Sequence, residues 1–402
     1  MKLLFTQDAL NNGGAERSHL EIVSRFSSAI EVTLVYFYPK HDLKEEYEKA
    51  GVRLIFLGIP ESYHFYLAVS RLIKLINCEK PDLLISSLYR ADIITRIASL
   101  ITRVPLIGTL VNDSYSLLAW NDKKGLKHKL VYWLDRVTSG IPTHWIANSK
   151  ALASSHVNTL GLDAEKISVV YRGRTIPEQK WENKRGEMGR LEKERSNPYS
   201  FISYGRLLER KGFQDAIQAF SIVIQKHPFC TLTIYGEGPF RPQLETLIAK
   251  LDLNGKVSLP GTFPKESHSN SSLKSSNLKI SNLQSPKPNS LNLLLSSDCF
   301  LFPSWYEGFS GALVEAMMAG IPIITSDIAM NLEAVEDMKT ALSYRVADVD
   351  QLFEKMLFAI ENPGTMEALG RKARGKAIQS FSISAISSQY EGKVKEIYQQ
   401  RL

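Results

Sequence analysis

The sequence predicts an α/β protein made of two Rossmann-like doubly wound domains that face each other across a cleft. Three observations carry this: 402 residues, 44% of them hydrophobic, are enough for two cores; short apolar runs alternate with longer helical patterns; and that rhythm stops at a charged stretch and then restarts. In the first half the runs lie at 3–6, 32–36, 54–57, 83–86, 106–109, 145–147 and 167–171, the spacing of βαβ units around a parallel sheet. In the second half they lie at 201–204, 231–235, 257–259, 298–302 and 321–325, with helical patterns such as 213–225 between them.

The domain boundaries follow from composition. Residues 1–177 form an N-terminal Rossmann-like domain, and 199–380 a C-terminal one. The segment 178–198 is rich in charge and poor in apolar residues, so it is a linker. A Ser- and Asn-rich insertion at 265–292 keeps no period of 3.6 or 2, and poor packing is expected there. In 381–402, Ile383, Ile386, Tyr390, Val394 and Ile397 recur at helical spacing, so a final helix packs on one of the domains.

Lys plus Arg outnumber Asp plus Glu by 49 to 42, which favours anionic partners. Cys78, Cys230 and Cys299 are scattered and lack metal-ligand spacing, against a disulfide framework or zinc site. The apolar run 3–6 reaches Gln7-Asp8 too soon for a signal peptide, and no stretch approaches the ~20 apolar residues of a membrane span. The expected compartment is the cytoplasm.

Three motifs carry chemistry. Asn11-Asn12-Gly13-Gly14-Ala15-Glu16 follows the first strand and opens a helix, leaving backbone amides free for a phosphate or sugar oxygen. A ligand-free turn explains it equally well. Gly205-Arg206-Leu207-Leu208-Glu209-Arg210-Lys211-Gly212 sets two cations five residues apart at a strand's carboxyl end, which suits a diphosphate. A solvated basic loop is the plain alternative.

The third is the most informative. Ser310 can cap a helix that Gly320 stops and Pro322 prevents from continuing. Glu307 then sits in the loop before it and Glu315 on the helix, with Phe309, Ser310 and Gly311 at its start. Glycines at 308 and 311 let the helix amides face an anionic group while the two carboxylates accept from hydroxyls. An ordinary exposed helix acid is the alternative for Glu315, but Leu313, Val314, Ala316 and Met317 leave little polar face. The turn at Gly236 and Gly238 and the stretch Thr325-Ser326-Asp327 are further strand-end loops.

With these residues in family order, the chain resembles the retaining glycosyltransferases of GT-B architecture, family 4, also called group 1. Glu307 and Glu315, separated by seven residues, are the most specific element. Gly13-Gly14-Ala15-Glu16, Gly205-Arg206 with Lys211-Gly212, Gly236-Glu237-Gly238-Pro239, Pro303-Ser304 and Gly320-Ile321-Pro322 accompany it. The resemblance implies that Arg206 and Lys211 neutralise the nucleotide diphosphate, Glu315 accepts from the ribose, Glu307 holds the donor sugar and the Gly14 amide approaches the diphosphate. It implies no metal and no cofactor beyond the nucleotide-diphosphate sugar itself. The expected partners are that sugar nucleotide and a glycan or lipid-linked acceptor, and not nucleic acid.

Two departures fall on the acceptor side. Asn112-Asp113 stands where many relatives carry a histidine, and Tyr171-Arg172-Gly173-Arg174 where an Asn-Gly pair is common. The segment 117–134 joins four lysines to leucines and aromatics, a composition that can lie on an anionic membrane. Its position would then be peripheral, on the inner face. The alternative is a helix that buries Leu126, Leu130, Trp133 and Leu134 in its own domain. Competing functions are a catalytically silent sugar-nucleotide-binding scaffold and a phosphorylase or epimerase of the same architecture.

Overall fold

A computed structural model describes residues 1–61, 64–122, 125–177, 199–263 and 288–400. The chain divides into two compact units, the first Met1–Gly173 with Glu307–Gly311 and Ile383–Leu402, the second Arg174–Tyr306 with Ala312–Ser382.

The first unit is built on seven strands, β1 Lys2–Gln7, β2 Glu31–Tyr36, β3 Arg53–Phe56, β4 Leu83–Ser87, β5 Leu106–Leu110, β6 His144–Ala147 and β7 Ile167–Val169. All pair in parallel, in the order β3-β2-β1-β4-β5-β6-β7. A parallel sheet needs both faces covered, and β4 is buried at every position. Successive side chains of β1 serve opposite faces. Leu3 and Phe5 join one core with Leu20, Ile22 and Leu34. Leu4 joins the other with Leu72 and Ile76 of the helix Phe65–Glu79 and Ile94 and Ala98 of the helix Tyr89–Thr102.

The C-terminal helix Ile383–Gln399 belongs to this unit. Its stripe of Ile383, Ile386, Tyr390, Val394 and Ile397 is buried in the same core as Leu3 and Phe5. The Ser387 hydroxyl donates to the Ile22 carbonyl at 2.8 Å, and Glu391 accepts from the Ser27 amide at 2.7 Å.

The second unit repeats the plan with β8 Ser200–Tyr204, β9 Thr231–Tyr235, β10 Val257–Gly261, β11 Cys299–Phe302, β12 Ile323–Ser326 and β13 Leu342–Tyr344. Its order is β10-β9-β8-β11-β12-β13, again parallel. Counted from its own first strand this is 3-2-1-4-5-6, the doubly wound arrangement. Phe201, Leu232 and Leu301 pack against Ile217, Phe220 and Val223 of the helix Phe213–Lys226 and Leu352 and Met356 of the helix Val349–Glu361.

The compact units are cut at other points than the sequence domains. The first unit ends at Gly173, where a side chain would overlap the backbone of Ile383 in the same unit. Residues 307–311, expected within the C-terminal domain, pack with the first unit, where Gly308 lies against the Val111 carbonyl and the Phe309 ring meets that of Tyr171 at 4.9 Å. Strand β13 had no counterpart among the expected runs. The linker 178–198 lies outside the described residues, as does most of the 265–292 insertion, whose end begins the helix Pro288–Leu295. Among the described residues no helix is long and apolar enough to cross a membrane.

Candidate functional site

In an open parallel sheet, ligands bind beyond the carboxyl ends of the strands where the strand order reverses. In the second unit that point lies between β8 and β11, which pair directly. The loops leaving these two strands carry Arg206 with Lys211 and the run leading to Glu315.

The β8 loop is shaped by backbone contact. Gly236 has φ of 143°, and a Cβ there would overlap the Gly205 carbonyl; one on Gly238 would overlap the Leu207 carbonyl. These two glycines, expected at the donor, therefore use their missing side chains to let the loops after β8 and β9 touch. A short 3-10 turn, Glu209–Lys211, brings Lys211 back so that its Nζ stands 3.9 Å from where a Gly205 Cβ would be, and 5.6 Å over the Phe302 ring. Arg206, one residue beyond Gly205, is exposed.

Glu315 lies on the helix Gly311–Ala319, with Gly320 following at φ of 63°. Its carboxylate is held on both oxygens, accepting from Arg174 Nε at 2.8 Å and from the Tyr204 hydroxyl at 2.8 Å. Arg174 is 3% exposed at its side chain and Glu315 is half-buried. Burial and then the neighbouring Glu315 charge raise the Tyr204 pKa well above its ordinary value, so Tyr204 remains a donor. Tyr204 ends β8 and bonds Glu315 through its hydroxyl, while Arg206 and Lys211 follow in the loop that leaves the same strand. Nearby, Trp305 Nε1 donates to Asp215 at 2.6 Å; burial pushes Asp215 up to about 6 while this bond opposes the shift.

The first unit holds the remaining expected residues. Gly13 caps the helix Gly14–Val23, and Glu16 folds back over it. Burial raises the Glu16 pKa, while its own amide, Asn11 and the Arg172 charge lower it. A carboxylate thus already stands at this helix end, where an approach of the diphosphate to Gly14 was expected. Arg172 Nη1 lies 3.5 Å from where a Gly14 Cβ would be. Glu307 is half-buried and Ser310 buried. The Phe309 amide donates to Asn148 Oδ1 at 3.1 Å, so that amide is already committed. Asn112 is exposed, whereas Asp113 is buried and accepts from the Ser155 hydroxyl at 2.8 Å.

Sequence reasoning missed Arg174, Tyr204 and Asn148. Its one available signal was the unusual Tyr171-Arg172-Gly173-Arg174 run.

The basic segment forms two helices, Leu117–Asp122 and Leu126–Thr138. The burial expected for an ordinary amphipathic helix is reversed. Leu126, Leu130, Trp133 and Val137 are 88%, 71%, 59% and 76% exposed, while Asp135 and Thr138 point inward to Arg96. At 100° per residue these apolar positions, with Leu134, form one outward stripe, flanked by Lys129 and Arg136.

A family model described as "Glycosyl transferases group 1" matches residues 187–285 and 277–376, and one described as "Glycosyltransferase Family 4" matches 12–175. The "Capsular polysaccharide biosynthesis glycosyltransferase CapM" of Staphylococcus aureus is 23% identical over 80% of this chain and 78% of its own length. The "UDP-Gal:alpha-D-GlcNAc-diphosphoundecaprenol alpha-1,3-galactosyltransferase" of Escherichia coli is 24% identical over 81% and 77%. Among solved structures, HepE of Anabaena in complex with UDP-glucose superposes with a TM-score of 0.77 at 20% identity, covering 98% of this chain and 100% of that one.

Proposed function

Because the chain belongs to the group 1, family 4 glycosyltransferases and has their GT-B fold, we propose that it moves a sugar from a nucleotide-diphosphate donor to an acceptor hydroxyl with retention of configuration. The observation that supports this is that Glu315 is bonded to Tyr204, the last residue of β8, and that Arg206 and Lys211 lie in the loop leaving that strand.

The chemistry follows from charge. Breaking the bond between sugar and diphosphate leaves negative charge on the departing phosphate oxygens, and fixed positive groups lower that barrier most. Lys211 supplies a point charge and Arg206 a planar fork, so the reading needs no divalent ion. Glu315, anchored at both oxygens, keeps lone pairs for ribose hydroxyls. Glu307 holds the sugar, and the leaving phosphate helps take the acceptor proton, so no separate general base is assigned. UDP-linked sugars are the first donors to test, because HepE is solved with UDP-glucose and the Escherichia coli relative is named for UDP-Gal.

The acceptor is a lipid-linked or envelope glycan, as the names of the relatives suggest. The outward stripe of Leu126, Leu130, Trp133 and Val137, flanked by basic side chains, supports a peripheral position on an anionic membrane surface.

The test is calorimetric titration with UDP and UDP-sugars. A charge-assisted contact contributes about 1.5–3 kcal/mol, so Lys211→Ala should weaken binding roughly 10- to 100-fold. Unchanged affinity in that variant, or no nucleotide binding by the wild type, would overturn the assignment.

A further inference from the structure

The chain leaves its first unit at Gly173–Arg174 and returns to it for the last helix at Ser382–Ile383. Within the second unit these two crossings lie side by side. Arg174 forms a parallel bridge with Ser382, and its amide donates at 2.8 Å to the carbonyl of Phe381, the last residue of the helix Pro363–Phe381. A helix leaves its final carbonyls without an intrahelical partner, so the Arg174 amide satisfies one of them. Within the first unit, Gly173 packs so closely on Ile383, which opens the last helix, that no side chain fits. The backbone at 173–174 is thus held where one helix ends and the next begins.

The side chain of Arg174 reaches the donor site. It is 3% exposed and gives Nε to Glu315 Oε1, while the Tyr204 hydroxyl holds Oε2, both at 2.8 Å. Two donors from separate elements, one on each oxygen, fix the place and the plane of a carboxylate that its own flexible side chain leaves loose. A carboxylate accepts at about four lone-pair sites, so two bonds leave capacity for the hydroxyls of a ligand. Burying a guanidinium costs solvation, and packed apolar side chains are often as stable. Stability alone therefore does not call for Arg174 here, whereas placement of the Glu315 carboxylate does.

We propose that Arg174 is a positioning residue for ribose recognition, and that it joins the nucleotide site to the crossings at 173–174 and 382–383. A nucleotide whose ribose hydroxyls donate to Glu315 then bears on Arg174, and through the Arg174 amide on Phe381. Ribose as the ligand rests on the glycosyltransferase reading; the bond between Arg174 and Glu315 does not.

Affinities for UDP and for dideoxyuridine diphosphate, which lacks both ribose hydroxyls, are measured by calorimetry on the full chain. Wild type should prefer UDP by roughly tenfold or more, the effect of hydrogen bonds to a charged group. Arg174→Met should remove most of that preference, and Arg174→Lys, which keeps a charged donor, should retain part of it. If Arg174 only stabilises the fold, Arg174→Met lowers the melting temperature and leaves the preference unchanged, and that result overturns the proposal. Hydrogen exchange of the wild type decides even where a variant fails to fold. UDP should slow exchange at the Arg174 amide and the dideoxy analogue should not; equal protection by both, or none by either, overturns the proposal. UDP binding without a ribose preference leaves the diphosphate site standing and removes this role alone. No UDP binding by wild type removes the donor assignment, and this role with it.

Discussion

Replacing Glu315 with alanine should damage the fold of the second unit as well as any ligand contact. The substitution takes the Glu315 carboxylate from Arg174, 3% exposed, and an acceptor from the Tyr204 hydroxyl. Losing a hydrogen bond to a charged group costs about 1.5–3 kcal/mol. For a domain of roughly 150–250 residues each kcal/mol lowers the melting temperature by roughly 2–4 °C, so a fall of roughly 3–12 °C is expected. Scanning calorimetry of Glu315→Ala, Arg174→Met and the double variant measures it. The double variant should lose less than the sum of the singles, because it removes both charges together. A Glu315→Ala transition within about 2 °C of wild type, or strictly additive losses, would refute the reasoning. Glu315→Gln keeps an oxygen for Tyr204, and its nucleotide affinity is the cleaner probe of a ribose contact.

Two other outcomes are expected. Burial pushes Asp92 up to about 7 from 3.8, with the Arg96 charge opposing. The folded state therefore binds more protons than the unfolded one between these values, and the contribution of this group is fullest below 3.8 and is lost as the pH rises through about 7. Urea unfolding at pH 5 and pH 8 should show a larger fall for wild type than for Asp92→Asn; equal falls would remove the argument. The variant Leu130→Glu with Trp133→Glu, both exposed, should fold normally and lose at least tenfold in sedimentation with phosphatidylglycerol vesicles, since each apolar side chain contributes about 1.5–3 kcal/mol when covered. Undiminished sedimentation, or none by wild type, would end the membrane reading.

Strands and strand-end loops were legible because parallel strands buried on both faces are continuous apolar runs, as in β4 and β11. Strand β13 was not, since Leu342-Ser343-Tyr344 is three residues with a polar centre. The loops bearing Arg206, Lys211 and Glu315 could be found from local spacing. The bond between Arg174 and Glu315 spans 141 positions, and no local pattern reports it. The helix Leu126–Thr138 shows a different limit. Its period marks an apolar face, and only packing shows that Asp135 and Thr138, held by Arg96, turn inward in place of the leucines.

The return of the last helix to the first sheet affects biogenesis. A nascent chain emerges from its amino end, and domains ordinarily fold in that order during synthesis. Here the opening lobe lacks one wall, the stripe from Ile383 to Ile397, until those residues have been made. A ribosome stalled anywhere before that point would display Leu3, Phe5 and their neighbours as a sticky half-core, a natural client for chaperones. A truncation that removes residues 383–397 should therefore lower the yield of folded protein, even though Arg206, Lys211 and Glu315 are still encoded.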